Sequence, residues 1–166
     1  ETNGYNGFVR QIQLRATTIE TFQGLHVIIP NKMIFQNPLT NYTLTDERRI
    51  DLYIGISYGE DLERVKRITL EAVADSPYLI EPEGREKAMT YEGFGNSSID
   101  FRLMMWMRYT PESPNYLEAR DYAIIAIKKA YDKHGITIPF PIRTLDFGIK
   151  GGEKLVEQMG SFKDNG

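Results

Sequence analysis

Two histidines, a run of carboxylates, a Ser-Tyr-Gly triplet and a glycine-rich turn are the places in this 166-residue chain whose residue types could do chemistry. His26 and His134 are the only histidines. Each lacks a near neighbour of its kind, whereas metal sites commonly set two within about five residues. The chain has no cysteine, so a thiolate site is excluded. Glu60, Asp61 and Glu63 could pair for general acid–base work. They also open a helical pattern, where the helix dipole favours anions without catalysis. Ser57-Tyr58-Gly59 is half of a nucleophile elbow, lacking the preceding glycine and a credible histidine partner. Gly93 to Ser98 could cradle a phosphate only if a helix followed. The next residues alternate as a strand does, which makes a hairpin turn. The expectation is a chain with no catalytic, cofactor-binding or metal-ligating residues, and so not an enzyme.

Contact between proteins is a different chemistry, and Met104 to Met107 carry it. In a strand, Met104 and Trp106 face away from Met105 and Met107, so both faces are apolar. Such a strand is covered on both sides, or has a core on one side and a subunit contact on the other. Interface centres are enriched in Trp, Met and Arg. Arg102, Trp106 and Arg108 share one face and are the candidate subunit-interface residues. Plain burial is the competing reading of Trp106.

These residues need elements to hold them. From Gly7 to Asn31 the β-branched residues predict strand, strand, turn, strand, with the turn at Phe22-Gln23-Gly24 and a stop at Pro30. A short helical turn is expected at Ile34 to Leu39, ended by Asn37-Pro38. The boundary lies within Asn41 to Arg49, where Asp46-Glu47-Arg48-Arg49 reads as a solvated linker face. Ile50, Leu52, Ile54 and Ile56 alternate with Asp51, Tyr53, Gly55 and Ser57 as a half-buried strand. Leu62, Val65, Thr69, Ala72 and Val73 fall at helical spacing, closed by Ser76-Pro77. Strands follow at Lys87 to Phe94 and at Ile99 to Met107. A second helix runs from Tyr116 to Lys133 on a stripe of Leu117, Ile124, Ile127 and Tyr131, with Gly135 at C′. A last strand is expected at Ile142 to Phe147. The order β-α-β-β-α-β is the ferredoxin-like arrangement.

Hydrophobic residues make up 41% of the chain, enough for a core, and 20 basic residues face 23 acidic ones. That balance argues against nucleic-acid binding, which draws on phosphate neutralisation. The longest apolar run, Tyr122 to Ile127, stops at Lys128-Lys129; a spanning helix needs roughly 20 such residues.

The first strands carry an ordered pattern. Gly7-Phe8-Val9 leads to Leu14-Arg15-x-Thr17-x-Ile19-x-Thr21-x-x-Gly24 and then Val27-x-Ile29-Pro30-Asn31. This closely resembles the β-domain signature of the small-conductance mechanosensitive channel (MscS) family. Ile56-Ser57-Tyr58 before an acidic helix start and the hairpin at Gly95 to Ile99 extend the match. His134-Gly135-Ile136-x-Ile138-Pro139-Phe140-Pro141 is similar to the family's closing Gly-Ile-x-x-Pro-hydrophobic-Pro. The resemblance covers about Gly7 to Phe147. Two departures are local: Gln23 stands where the family commonly carries an acidic residue, and the tail after Phe147 is rich in Gly and Lys.

The resemblance implies an α+β chain in two modules. A small Sm-like β-barrel module at 1–46, its first strand missing, precedes a ferredoxin-like βαββαβ module at 47–148, with a polar tail at 149–166. It implies a cytoplasmic vestibule domain of a tension-gated ion channel that releases ions and small solutes under osmotic stress. The full-length protein would be a homo-oligomer, a heptamer, in the cell's inner membrane, with its spanning helices upstream of Glu1. No nucleic acid and no cofactor are expected. A small-molecule-sensing regulatory domain of ferredoxin-like fold is the alternative.

Overall fold

A computed structural model of the chain describes residues 1–109, 116–141 and 143. It is a mixed sheet-and-helix structure built on two antiparallel sheets. The first is a meander of β1 (Gly7–Ile12), β2 (Ala16–Thr21) and β3 (His26–Pro30), followed by the short helix α1 (Asn31–Gln36). The second holds β4 (Glu47–Ile56), β5 (Leu79–Ile80), β6 (Ala88–Phe94) and β7 (Ile99–Arg108), with the helices α2 (Leu62–Ala72) and α3 (Tyr116–His134). β7 is central. It pairs with β4 along ten residues on one edge, and β5 and β6 share its other edge.

The signature residues of the first sheet hold its turns. Gly7 has no room for a side chain, since a Cβ there would stand 2.1 Å from the Glu20 carbonyl oxygen. Asn31 closes the other end. Its amide donates to the carbonyls of Gln13 and Leu14, and its side-chain oxygen accepts from the Thr17 hydroxyl at 2.8 Å. The β2–β3 turn needs Gly24 at φ +80°, and Thr21 Oγ1 accepts from the Leu25 amide. The helix α1 begins at Asn31, directly after Pro30, and not at Ile34 as the sequence suggested. Proline suits that entry because it needs no amide partner there.

In the second sheet the alternation of β4 and β7 buries Ile50, Leu52, Ile56, Phe101, Leu103, Met105 and Met107 under α2 and α3. Asp61 caps α2 by accepting from the Arg64 amide at 3.0 Å. α3 ends in a Schellman motif, with Ile136 N–H donating to Tyr131 O and Gly135, at φ +65°, donating to Asp132 O. The buried stripe of α3 is Ala119, Ala123, Ile127 and Tyr131; Leu117 and Ile124, expected inside, are exposed. Two small alanines bring α3 close to its neighbours, which is why the larger aliphatics turn outward. Of the expected strand 142–147 only Arg143 is described, and the tail 149–166 lies outside the described residues.

Candidate functional site

Helices cover one face of the second sheet, and the opposite face is open. Cross-strand register puts Glu47 opposite Arg108, Arg49 opposite Trp106, Asp51 opposite Met104 and Tyr53 opposite Arg102. Arg102, Met104 and Trp106 are half-buried there, and Arg108 is exposed at the end of β7. The strand therefore has a core on one face, while the other, which carries the three candidate residues, is half-buried from Arg102 to Trp106 and exposed at Arg108.

Charge on this face is largely self-neutralised. Arg49 grips Asp51 with two hydrogen bonds, at 2.7 and 2.9 Å. That contact, chiefly the hydrogen bond to Asp51, raises the Arg49 pKa. Arg85 donates to Glu47 at 2.6 Å and stacks 4.9 Å above the Trp106 ring. Arg102 Nε lies 2.9 Å from Glu92 Oε1 and its guanidinium sits 6.0 Å from the Tyr53 ring. Its Nε is buried and not aimed well enough at Glu92 to count as hydrogen-bonded. Arg85, Arg49, Tyr53 and Glu92 belong to the surface and were not picked out from the sequence. Arg49 and Tyr53 could have been found by following the period of two along β4. Arg85 sits in a loop, where no period points to it.

The cluster Asp46 to Arg49 is not a solvated linker. Residues 47 to 49 begin β4, and each side chain has a partner: Glu47 takes Arg85, Arg49 takes Asp51, and Arg48 lies against tyrosine rings.

The other chemistry-bearing residues are not brought together. His26 opens β3 with an exposed ring 4.0 Å from Glu20, and His134 ends α3, where its carbonyl accepts from Arg64. Glu60 accepts from the Thr137 amide, and Asp61 is the α2 cap. Gly95 N–H donates to Ser98 O, closing the β6–β7 hairpin. Among the described residues no three His, Asp or Glu gather as a cation site. Two shifted tyrosines are structural. Burial pushes Tyr91 up to about 12, and its hydroxyl donates to Leu62 O. Tyr131 is also raised, again chiefly by burial, and meets the Thr69 hydroxyl at 2.7 Å.

The first sheet offers a second surface of a different kind. Ile12, Leu14, Phe22, Leu25, Ile28 and Phe35 are all exposed. Soluble monomers seldom leave so much apolar surface uncovered. A cleft of about 670 Å³ lies beside this sheet, lined by Phe8, Val9, Ile19 and Leu39 and by Tyr42 and Tyr109. No helix among the described residues is long and apolar enough to cross a membrane.

Residues 1–44 match the family model described as the mechanosensitive ion channel β-domain, and residues 50–138 match the mechanosensitive ion channel MscS C-terminal model. The chain belongs to the MscS family. An uncharacterised MscS family protein of Synechocystis is 37% identical over 145 residues, which is 86% of this chain and 46% of that protein. The small-conductance mechanosensitive channel MscMJ of Methanocaldococcus jannaschii is 30% identical over 87% of this chain and 41% of its own length. The crystal structure of Helicobacter pylori MscS in its closed state superposes with a TM-score of 0.78 and 26% identity, covering 90% of this chain and 56% of that one. The chain thus spans about half the length of these three relatives, and it carries the β-domain and C-terminal portion of a family of mechanosensitive ion channels.

Proposed function

We propose that this chain is the cytoplasmic vestibule portion of a membrane-tension-gated channel of the inner membrane. In this reading the channel releases ions and small solutes under osmotic stress. The observation that carries it is the order of the two family models on one chain, beside the likeness to closed H. pylori MscS. The chain divides into a β-module at 1–46, an α/β module at 47–148 and a tail at 149–166. The first is Sm-like. The second is ferredoxin-like, which the order β4-β7-β6 and the two helices on one face support.

Identical copies form a closed ring, a heptamer, around a chamber. Closed rings suit head-to-tail contacts, and the exposed apolar residues of the first sheet together with Arg102, Trp106 and Arg108 on the second supply contact surface. The chain does no catalysis. It filters and scaffolds, while the pore and the response to tension belong to spanning helices beyond it. The test is electrical: the full-length protein in excised patches should open under suction, and this chain alone should leave bilayers impermeable. Well-folded full-length protein that stays silent up to lytic tension overturns the channel reading in favour of a regulatory module.

A further inference from the structure

We propose that Arg48 and the three tyrosines around it form a latch that fixes the angle between the two sheets. No strand or helix of the first sheet packs extensively on an element of the second, so the relation between them has to be set elsewhere. Tyr42 is the crossing point. Its ring packs against the core under the second sheet, while its hydroxyl donates to Glu1 Oε2 at 2.6 Å. Glu1 is held in turn to Thr40 through the backbone, and Thr2, buried beside it, bridges to Leu39.

The Arg48 guanidinium lies 4.6 Å from the centre of the Tyr42 ring, 3.8 Å from that of Tyr116 and 5.2 Å from that of Tyr109. The three rings come from the linking segment, from the first residue of α3 and from the residue after β7. Tyr109 is itself fixed, since its amide extends the β4–β7 ladder to Asp46 O at 2.7 Å. No carboxylate among the described residues pairs with Arg48; every partner it has there is a ring face. A cation over aromatic faces tolerates small changes of angle better than a bidentate ion pair does. Such a contact holds one arrangement yet can be released without leaving two charges unpaired. The cleft lined by Tyr42, Tyr109 and Phe8 leaves space for the first sheet to swing once the tyrosines let go.

The inference is independent of the channel reading and is tested on this chain. With no native cysteine, Gln23→Cys in the β2–β3 turn and Lys129→Cys on the exposed side of α3 accept one spin label each. Pulsed dipolar spectroscopy then reads the distance between the sheets. Diluted with unlabelled chain so that only distances within one copy are read, the parent chain should give a single narrow distance. Arg48→Gln should lose it and give a broad, shifted distribution, and Arg48→Lys, which keeps a cation, should fall between the two. Circular dichroism checks that each variant is folded. If Arg48→Gln fails to fold, Tyr42→Ala carries the same test from outside both sheets, with the same broadening expected. A parent-like narrow distance in a folded Arg48→Gln or Tyr42→Ala chain overturns the latch.

Discussion

The two sheets solve the problem of burial in opposite ways. The second encloses a contiguous core running from Ile50 through Phe101 and Tyr131 to Ile136, roofed by two helices. The first buries only Ile19 and Ile29 as apolar side chains, and its other buried residues, Thr17 and Thr21, are polar. A three-stranded sheet with one six-residue helix has too little cover for both faces, so its large aliphatics stay outside. Sequence hydrophobicity is alike in the two; what differs is whether the chain itself supplies the opposing layer. The second sheet therefore carries its own core, whereas the first leaves its large apolar side chains uncovered.

Removing the ring of Phe101 is the hardest test of that contrast. Phe101→Ala should cost about 3–5 kcal/mol in urea unfolding, while Ile29→Ala in the first sheet should cost roughly 2 kcal/mol, at the low end for such truncations. Equal costs would erase the distinction. Gly7→Ala comes next. Its Cβ meets backbone rather than a flexible side chain, so about 1–3 kcal/mol should be lost, seen as faster amide exchange confined to β1 and β2. Unchanged exchange there would show that the close approach is relieved without effect.

Tyr131→Phe should cost about 1 kcal/mol. Thr69 donates its hydroxyl proton to Val65 O, which makes Tyr131 the donor to Thr69 and leaves that oxygen one partner short in the variant. A further effect is one of pH. Tyr91 ionises near 12 in the folded chain against 10 when unfolded. Between those values the unfolded chain has released its proton and the folded chain has not, so stability is full below pH 10 and declines as pH rises through 12. Tyr131 shifts in the same direction. Tyr91→Phe should flatten the decline measured by thermal melts across that range, and an equally steep decline in the variant would assign it to other groups.

Much of this was legible because period and punctuation agreed. The alternation in β4 and β7 and the Gly135 stop each state one local answer, and tertiary structure left them in place; the acidic start of α2 reads in sequence as a first turn, whereas Asp61 is the cap before it. The α3 stripe was not legible. An apolar helix offers several candidate faces, and close packing selected Ala119 and Ala123 over the larger Leu117 and Ile124. β5 has two residues and no alternation to betray it; it exists because β7 is long enough to pair with both it and β6. The surface around Trp106 was half visible. Arg102 and Arg108 follow from alternation, whereas Arg85 reaches the ring from a loop that only the completed sheet brings near. Glu47 and Arg48 look solvated in sequence because Arg85, Tyr109 and Tyr116 are distant along the chain.

Arg85 above the indole has a practical consequence. Trp106 is the chain's single tryptophan, half-buried on the open sheet face with a guanidinium 4.9 Å over its ring. Its emission colour and quenching report on that one spot with no added dye. Anything laid across the face must first push Arg85 aside or trap it against the ring, and either event changes the fluorescence, giving assembly on this surface an optical readout already written into the molecule.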